Sequence, residues 1–196
     1  VNKHGEIRFG LSAIKGMGAS AADSIVRERM ENGPYKDIYD FAERVDLSNV
    51  NRKAFESLAY SGGFDSFGLQ REQYFAVTAK GDLFLDTIVR YGQLFQAEKA
   101  QQQNSLFGGM DAIDVVHPIA PKAEKWPVIE KLNKERELVG IYLSAHPLDE
   151  YSVVLNNMCN ARCSMIGRNA NMTELAKADE VTFGGIVTSV NERFSQ

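Results

Sequence analysis

The chain has 196 residues, of which 44% are hydrophobic and 24% charged, as is ordinary for one or two soluble globular domains. No run reaches the roughly 18 apolar residues of a membrane span, and no signal peptide is visible. The net charge of −4 argues against a protein that coats nucleic acid through bulk electrostatics. Residues 1–55 differ slightly, since they carry nine Lys and Arg against eight Asp and Glu. Any contact with nucleic acid is therefore expected to be local.

The most informative stretch, LSAIKGMGASAADSIV at residues 11–26, has the pattern of a helix-hairpin-helix motif. Its apolar residues have helical spacing on both sides of a turn, with Leu11 and Ile14 before the turn and Ala22, Ile25 and Val26 after it. Gly16-Met17-Gly18 is the predicted turn. The two glycines can adopt backbone angles closed to other residues and place no side chain between the backbone and a ligand, while Met17 can point inward.

A turn of this kind directs free backbone N–H groups outward at the start of a helix, where the helix dipole favours an anion. A DNA phosphate fits there and is held without reference to base sequence. Lys15 can add a charge and Ser20 a hydroxyl. We therefore predict a DNA-binding site formed by Lys15, Gly16, Met17, Gly18, Ala19 and Ser20.

Two other interpretations of the Gly-x-Gly turn stand beside this one. It can be only a tight connection between two helices, without a ligand. A dinucleotide-binding fold is disfavoured because the third glycine of its fingerprint is missing and a helix, rather than a buried strand, precedes the turn.

Two short helices are predicted after the hairpin. Asp37 can cap the first, with Ile38, Phe41 and Val45 inward, and Ser48 or Asn49 can cap the second, with Phe55, Leu58 and Ala59 inward and Gly62-Gly63 at its end. The next turn, GFDSFG, and the helical stretch around Arg71, Tyr74 and Phe75 resemble a degraded copy of the first hairpin. Because one hairpin buries too little surface to be stable alone, we predict a paired helix-hairpin-helix region over residues 1–79.

A helical region with a long loop is predicted over residues 80–178. Lys80-Gly81-Asp82 would end one helix and cap another, which carries an apolar stripe of Phe84, Ile88, Tyr91 and Phe95. Gly and Pro residues then mark a loop over residues 103–127, longer than most connections within a domain. Helical patterns return over 129–139, stopped by Gly140, and from Pro147 to Leu155.

From residue 179 the composition becomes strand-like. The β-branched residues of Val181–Val190 and the paired Gly184-Gly185 predict one strand with a bulge or bend. A lone strand is not a stable unit, so we expect the chain to be cut at both ends from a longer protein. Cys159 and Cys163 lack a second pair of metal ligands, which favours two ordinary thiols in a reduced, cytoplasmic protein over a zinc site.

Four blocks of the sequence carry a family resemblance: EIRFGLSAIKGMG, YKDIYDFAERVD, VNRKAFESLAYSGGFDSFG and KERELVGIYLSAHPLDEY. Through them the chain resembles the C-terminal half of the alpha subunits of bacterial replicative DNA polymerase III (family C). The resemblance implies a clamp-binding region with paired hairpins up to about residue 175, and the first strand of an OB domain from Val181. The expected fold class is mainly α: a paired helix-hairpin-helix domain with a long clamp-binding loop, followed by a truncated β start.

The same resemblance singles out Gln103, Asn104, Ser105, Leu106 and Phe107, which match the Gln-x-x-Leu-Phe pattern with which bacterial polymerases hold their sliding clamp, the beta subunit. In peptide-in-groove recognition, an extended segment offers a polar anchor at one end and large apolar side chains at the other. The alternative is that Leu106 and Phe107 pack back onto the protein's own helices. The flanking Gln101-Gln102 leave the register of the motif ambiguous.

No catalytic constellation is recognised, since Ser144 near His146 is only a local loop pair. In the resembling family, acidic residues of an upstream palm domain hold two metal ions, so Mg²⁺ is expected in the parent polymerase and no cofactor in this segment. We predict a non-catalytic part of a DNA-directed DNA polymerase that binds duplex DNA, the sliding clamp and other replicase subunits, without membrane contact. The alternatives are a helix-hairpin-helix domain of a repair glycosylase or ligase, and a structural connector that has lost DNA contact.

Overall fold

A computed structural model describes residues 5, 9–104, 115–162, 165, 180–187 and 189–193. The helices are α1 (Ala19–Asn32), α2 (Ile38–Arg44), α3 (Arg52–Ser61), α4 (Arg71–Tyr74), α5 (Phe84–Asn104), α6 (Val128–Val139) and α7 (Ser152–Met158). Short 3-10 turns lie at Leu11–Ala13, Asp65–Phe67 and Asp149–Tyr151. Strand pairing in the described residues is limited to one antiparallel bridge between Val77 and Leu83. The expectation of a mainly α fold is therefore confirmed.

The chain divides into two compact units, Val1–Leu143 and Ser144–Gln196. The core of the first unit is formed by buried apolar side chains of α1 to α5 and the segments between them, among them Ile25, Ile38, Phe41, Val45, Phe55, Leu58, Phe64, Tyr74, Phe84 and Ile88. The aromatic ring of Phe41 lies edge-on to Phe55 and Phe64, with centroids 5.2 and 5.0 Å away. The predicted inward faces of these helices are confirmed.

Side-chain caps fix where α2 and α3 begin. The Asp37 carboxylate accepts hydrogen bonds from the backbone N–H groups of Tyr39 and Asp40, as its position in the sequence predicts. For α3 the prediction of Ser48 or Asn49 is wrong. Asn51 is the cap, because its side-chain oxygen accepts the Ala54 N–H group and so satisfies the first turn of the helix.

Helix α5 packs closely on the C-terminal end of α2. A Cβ atom at Gly92 would lie 2.6 Å from the Ala42 carbonyl oxygen, so only glycine lets the two backbones approach this far. The Gln96 amide donates to the carbonyl oxygens of Ala42 and Val45 at 3.1 and 2.8 Å. These bonds satisfy carbonyl groups that the end of α2 leaves open.

The segment between α4 and α5 differs from the prediction of a helix that ends at Lys80-Gly81-Asp82. Helix α4 already ends at Tyr74, and the chain then forms a tight turn closed by the bridge between Val77 and Leu83. Within the turn, the Thr78 N–H group donates to the Asp82 carbonyl oxygen at 2.8 Å, and Gly81 has a φ of +89°. The β-branched Val77 and Thr78 disfavour a helix here, and the glycine supplies the reversal.

The predicted loop over residues 103–127 begins later than expected. Helix α5 continues through Asn104, because the run of glutamines at its end has good helix propensity and contains no breaker. Residues 115–127 have no regular secondary structure, in agreement with the prediction. Ser105, Leu106 and Phe107 lie outside the described residues.

In the second unit, a 3-10 turn at Asp149–Tyr151 leads directly into α7. The strand predicted over Val181–Val190 is not seen in the described residues 181–187 and 189–190, which have no ladder partner. The segment is held by a side chain instead, since the Asn160 amide bonds the Glu180 carbonyl oxygen and the Thr182 N–H group, both at 2.8 Å. Gly184 permits close packing, because a Cβ there would overlap the Leu155 side chain. Cys163 lies outside the described residues.

Candidate nucleic-acid interface

The hairpin predicted at residues 11–26 is present, with a 3-10 turn at Leu11–Ala13 as its first helix and α1 as its second. The Met17 N–H group donates to the Ile14 carbonyl oxygen at 3.0 Å. The Met17 side chain is buried together with Ile14, Ala22 and Ile25. Within the predicted DNA-binding set, Met17 therefore anchors the turn through its side chain, whereas the other five residues are exposed.

The two glycines of the turn have different structural roles. Gly16 has a φ of +88°, which L side chains rarely adopt, and a Cβ there would lie 2.7 Å from the Ser57 hydroxyl oxygen. Gly18 has a φ of −70° and a ψ of 151°, which any residue can adopt. Gly18 therefore does not use the backbone freedom of glycine, because its position directly before α1 calls for an extended backbone.

The backbone of Lys15 fixes the turn between two other helices. Its N–H group donates to the Leu138 carbonyl oxygen of α6 at 2.8 Å, and its carbonyl oxygen accepts from the Ser57 hydroxyl of α3 at 3.1 Å. Both backbone polar groups are thereby used within the protein, so the Lys15 side chain projects from a rigid base. No sequence pattern signals these contacts, since Ser57 and Leu138 lie far from the turn along the chain.

The start of α1 is open to solvent. Gly18 is the residue that precedes the helix, and no side chain caps it. Ala19 and Ser20 are exposed, and the first intrahelical bond in this turn runs from the Ala22 N–H group to the Gly18 carbonyl oxygen at 3.0 Å. An anion at this end would meet the first backbone N–H groups of a 14-residue helix and the positive end of its dipole.

The second glycine turn, between α3 and α4, is occupied by the protein itself. Gly62 ends α3 with a φ of +85°, and a Cβ there would overlap the Arg71 guanidinium. The second helix of the predicted copy is reduced to the 3-10 turn at Asp65–Phe67 and the four residues of α4. The space that an outside ligand would need at Gly62 is filled by the Arg71 side chain.

The buried Arg71 side chain is the centre of an ion-pair network with the exposed Asp65 and the buried Glu135. Its guanidinium donates two hydrogen bonds to the Asp65 carboxylate, at 2.8 and 2.6 Å, and lies 3.3 Å from the buried Glu135 carboxylate of α6. Burial by itself lowers the pKa of Arg71, but the hydrogen bonds and charges of Asp65 and Glu135 together outweigh it and hold the pKa above its ordinary value. Glu135 also accepts the Leu143 N–H group at 2.7 Å. The network joins the second turn to α6.

Of the predicted clamp-binding residues, the backbones of Gln103 and Asn104 form the last residues of α5. The other three lie outside the described residues. Among the described residues, no group of three or more His, Cys, Asp or Glu is arranged to hold a metal ion. No described helix is long and apolar enough to cross a membrane.

Comparison with known proteins agrees with this geometry. Residues 1–74 match the family model of the helix-hairpin-helix motif, a span that contains both glycine turns. The chain is 32% identical over 198 residues to DNA polymerase III subunit alpha of Xylella fastidiosa (strain Temecula1), covering 95% of this chain and 16% of that protein. The same subunit of Caulobacter vibrioides is 32% identical over 194 residues, covering 99% and 16%.

A third relative, DNA polymerase III subunit alpha of Treponema pallidum, is 36% identical over 151 residues, which cover 77% of this chain and 12% of that protein. The chain therefore spans less than one fifth of the length of these curated relatives, although nearly all of it is matched. The resemblance noted in the sequence is confirmed. The chain belongs to the family of DNA polymerase III alpha subunits and corresponds to one region of those proteins that includes a helix-hairpin-helix motif.

Proposed function

We propose that this region holds duplex DNA by its backbone and tethers a bacterial replicative polymerase to its sliding clamp. The observation that carries the DNA part is the coincidence of the helix-hairpin-helix match with an exposed turn at the uncapped start of α1. Backbone N–H groups recognise phosphate without reading base sequence, which suits a protein that travels along any template. When one molecule makes two weak contacts, the loss of either leaves it held by the other, so that rebinding is fast and processivity rises.

Clamp binding is proposed from the sequence motif in its family context. The motif begins at the end of α5, with Gln103 as the polar anchor and Leu106 and Phe107 as the apolar pair. Because Gln103 lies at the helical end of α5, docking as an extended peptide requires the last turn of that helix to unwind. Both the unwinding of this turn and the ordering of the loop on docking reduce the net affinity, and we expect a dissociation constant on the order of micromolar.

In the full-length protein, we propose a cytoplasmic DNA-directed DNA polymerase whose Mg²⁺-dependent chemistry belongs to another region, with other replicase subunits as partners. This assignment rests on the names of the relatives. They favour a polymerase over the repair glycosylase or ligase that the hairpin alone left open. A connector without DNA contact remains the competing function, and the DNA-binding experiment decides between them.

The DNA experiment uses Gly18→Val, because Gly18 is exposed and has an ordinary backbone conformation. The substitution places a branched side chain at the proposed phosphate site without straining the turn. Fluorescence anisotropy with a labelled duplex of about 20 base pairs should show weaker binding, while circular dichroism retains the helical signal. Undiminished affinity in the folded variant would show that the hairpin is structural and does not hold the DNA, whereas a parent protein that binds no duplex would support the connector.

The clamp experiment changes Leu106 and Phe107 together to alanine. Buried apolar anchors dominate most peptide interfaces, so surface plasmon resonance against the purified sliding clamp should show binding abolished. The neighbours Asn104→Ala and Ser105→Ala are the matched controls and should bind within about twofold of the parent, since flanking residues contribute little. Clamp binding by the double variant that equals the parent would remove this part of the proposal.

A further inference from the structure

A cleft of about 400 Å³ lies beside the hairpin turn, outside the motif itself. The turn, α3 and α6 each form one wall of this cleft. Three lysines line it, one from each element: Lys15, Lys53 and Lys134. Because the Lys15 backbone is bonded to both α3 and α6, the three walls are fixed relative to one another. We call this feature the lysine cleft.

The lysines of the lysine cleft make few direct ion pairs. In the described part of the chain, Lys15 and Lys53 have no ion-pair partner, and Lys134 has only Glu130 at 3.8 Å. Two carboxylates also line the cleft. Glu56 pairs with Arg52 at 2.6 Å, an arginine that it shares with Asp86, so Glu137 is the lining carboxylate for which the described residues show no ion pair.

Lys53 lies directly against the turn. A Cβ atom at Gly16 would be 3.3 Å from the Lys53 side chain, so the lysine passes alongside the glycine that the turn requires. Its side chain is exposed, and its flexible stem allows the ammonium to follow a phosphate that approaches the hairpin. Gly16 is therefore needed both for its backbone angle and to leave room for a cation supplied by another helix.

Lys134 is held in place by aromatic rings. Its ammonium lies 4.6 Å from the ring centre of Tyr60 and 5.0 Å from that of Trp126. Tyr60 is itself stacked on Phe75 at 3.9 Å, and burial raises the pKa of its phenol. The aromatic rings therefore orient the Lys134 ammonium, which lines the cleft.

From this arrangement we infer that Lys53 and Lys134 contact the backbone phosphates of the same DNA duplex that the hairpin holds. The inference rests on the proposed DNA binding and extends it from one turn to a track across α3 and α6. A phosphate at the turn lies next to Lys53, and the cleft leads from there to Lys134. Contacts of this kind add affinity and fix the orientation of the duplex, and they carry no sequence preference.

The test measures the salt dependence of duplex binding by fluorescence anisotropy for Lys53→Gln, Lys134→Gln and the double variant. Removing one lysine–phosphate interaction lowers the slope of log K against log salt by about 0.9, so the slope for the double variant should fall by nearly twice that. Each single variant should bind roughly threefold to tenfold more weakly at about 0.1 M salt. Lys99→Gln is the matched control, since Lys99 lies beside Glu28, Asp40 and Glu43 instead.

The Glu137→Gln variant should change the affinity for duplex DNA in the opposite direction. Removal of this carboxylate from the cleft should strengthen duplex binding by roughly twofold to threefold, which damage to the fold does not mimic. The inference is overturned if the parent binds duplex and responds to Gly18→Val while Lys53→Gln and Lys134→Gln leave the salt slope unchanged. If the parent does not bind duplex at all, the proposed function itself is wrong.

Discussion

The two glycine turns of the first unit have similar sequences, but one is open to solvent and the other is filled by a side chain of the protein. At Gly16 the turn is exposed, and the nearest cations, Lys15 and Lys53, point to solvent. At Gly62 the turn is filled by Arg71, which is bound by Asp65 and Glu135. The first turn is therefore available to an outside anion, whereas at the second the cation is already paired with the carboxylates of Asp65 and Glu135.

A glycine turn between helices is therefore not by itself a phosphate site. What decides is which side chain comes to occupy the space that the missing Cβ leaves. At the first turn the Ser57 hydroxyl and a flexible lysine lie beside that space, and at the second a buried, ion-paired guanidinium is locked in place. We therefore expect the binding of duplex DNA to depend on the first turn and the stability of the fold to depend on the second.

The largest expected effect is that of Arg71→Met. It leaves the buried Glu135 carboxylate without its guanidinium and should lower the free energy of unfolding by about 3–5 kcal/mol. Urea denaturation followed by circular dichroism measures the loss. Arg90→Met is the control, because Arg90 pairs with Asp82 on the surface and should contribute under about 1 kcal/mol. Equal losses in the two variants would show that the second turn does not depend on its ion pairs.

The next effect compares Gly62→Ala with Gly16→Ala. Both residues have a positive φ, for which a side chain raises the energy of the folded state by about 1–3 kcal/mol. Gly62→Ala should destabilise the protein more, because it must displace the ion-paired Arg71 guanidinium, whereas Gly16→Ala displaces the Ser57 hydroxyl. Gly16→Ala should be the variant that weakens duplex binding. Thermal denaturation measures the loss of stability and fluorescence anisotropy the loss of duplex binding. A Gly16→Ala variant less stable than Gly62→Ala would contradict the assignment of the second turn to stability.

A smaller effect is expected for Ser57→Ala, which removes the hydroxyl that holds the Lys15 carbonyl oxygen. One hydrogen bond of this kind contributes about 1 kcal/mol to stability. The exposed Ser66, for which the described structure shows no hydrogen bond, supplies the control Ser66→Ala, with an effect near zero. If urea denaturation gives the same midpoint for both variants, α3 does not support the first turn.

The smallest effect is that of Gly18→Ala on stability. Its φ of −70° suits alanine, and the nearest side-chain atom to a new Cβ is the Ser20 hydroxyl oxygen at 3.8 Å. The free energy of unfolding should fall by less than about 1 kcal/mol, the range for a weaker residue before a helix. A much larger loss of melting temperature would mean that Gly18, like Gly16, is required by the backbone.

Local features of this protein could be predicted from the sequence where neighbours along the chain decide them. The hairpin of residues 11–26, the cap at Asp37 and the apolar stripe of Phe84, Ile88 and Tyr91 depend on spacing within a few residues. Helical periodicity and capping chemistry act at this range, so the pattern is sufficient. The family likewise follows from the sequence, as the alignment over nearly the whole chain confirms.

Other features depend on residues far apart in the chain. Only the fold brings Ser57 and Leu138 to the backbone of Lys15, Arg71 to Gly62, and Lys53 and Lys134 to one cleft. No local pattern marks these pairs, because hydrogen bonds, ion pairs and packing act on distance in space and not on distance in sequence. Spacing along the chain is enough to place the hairpin, whereas contacts between distant residues leave the first glycine turn exposed and fill the second with Arg71.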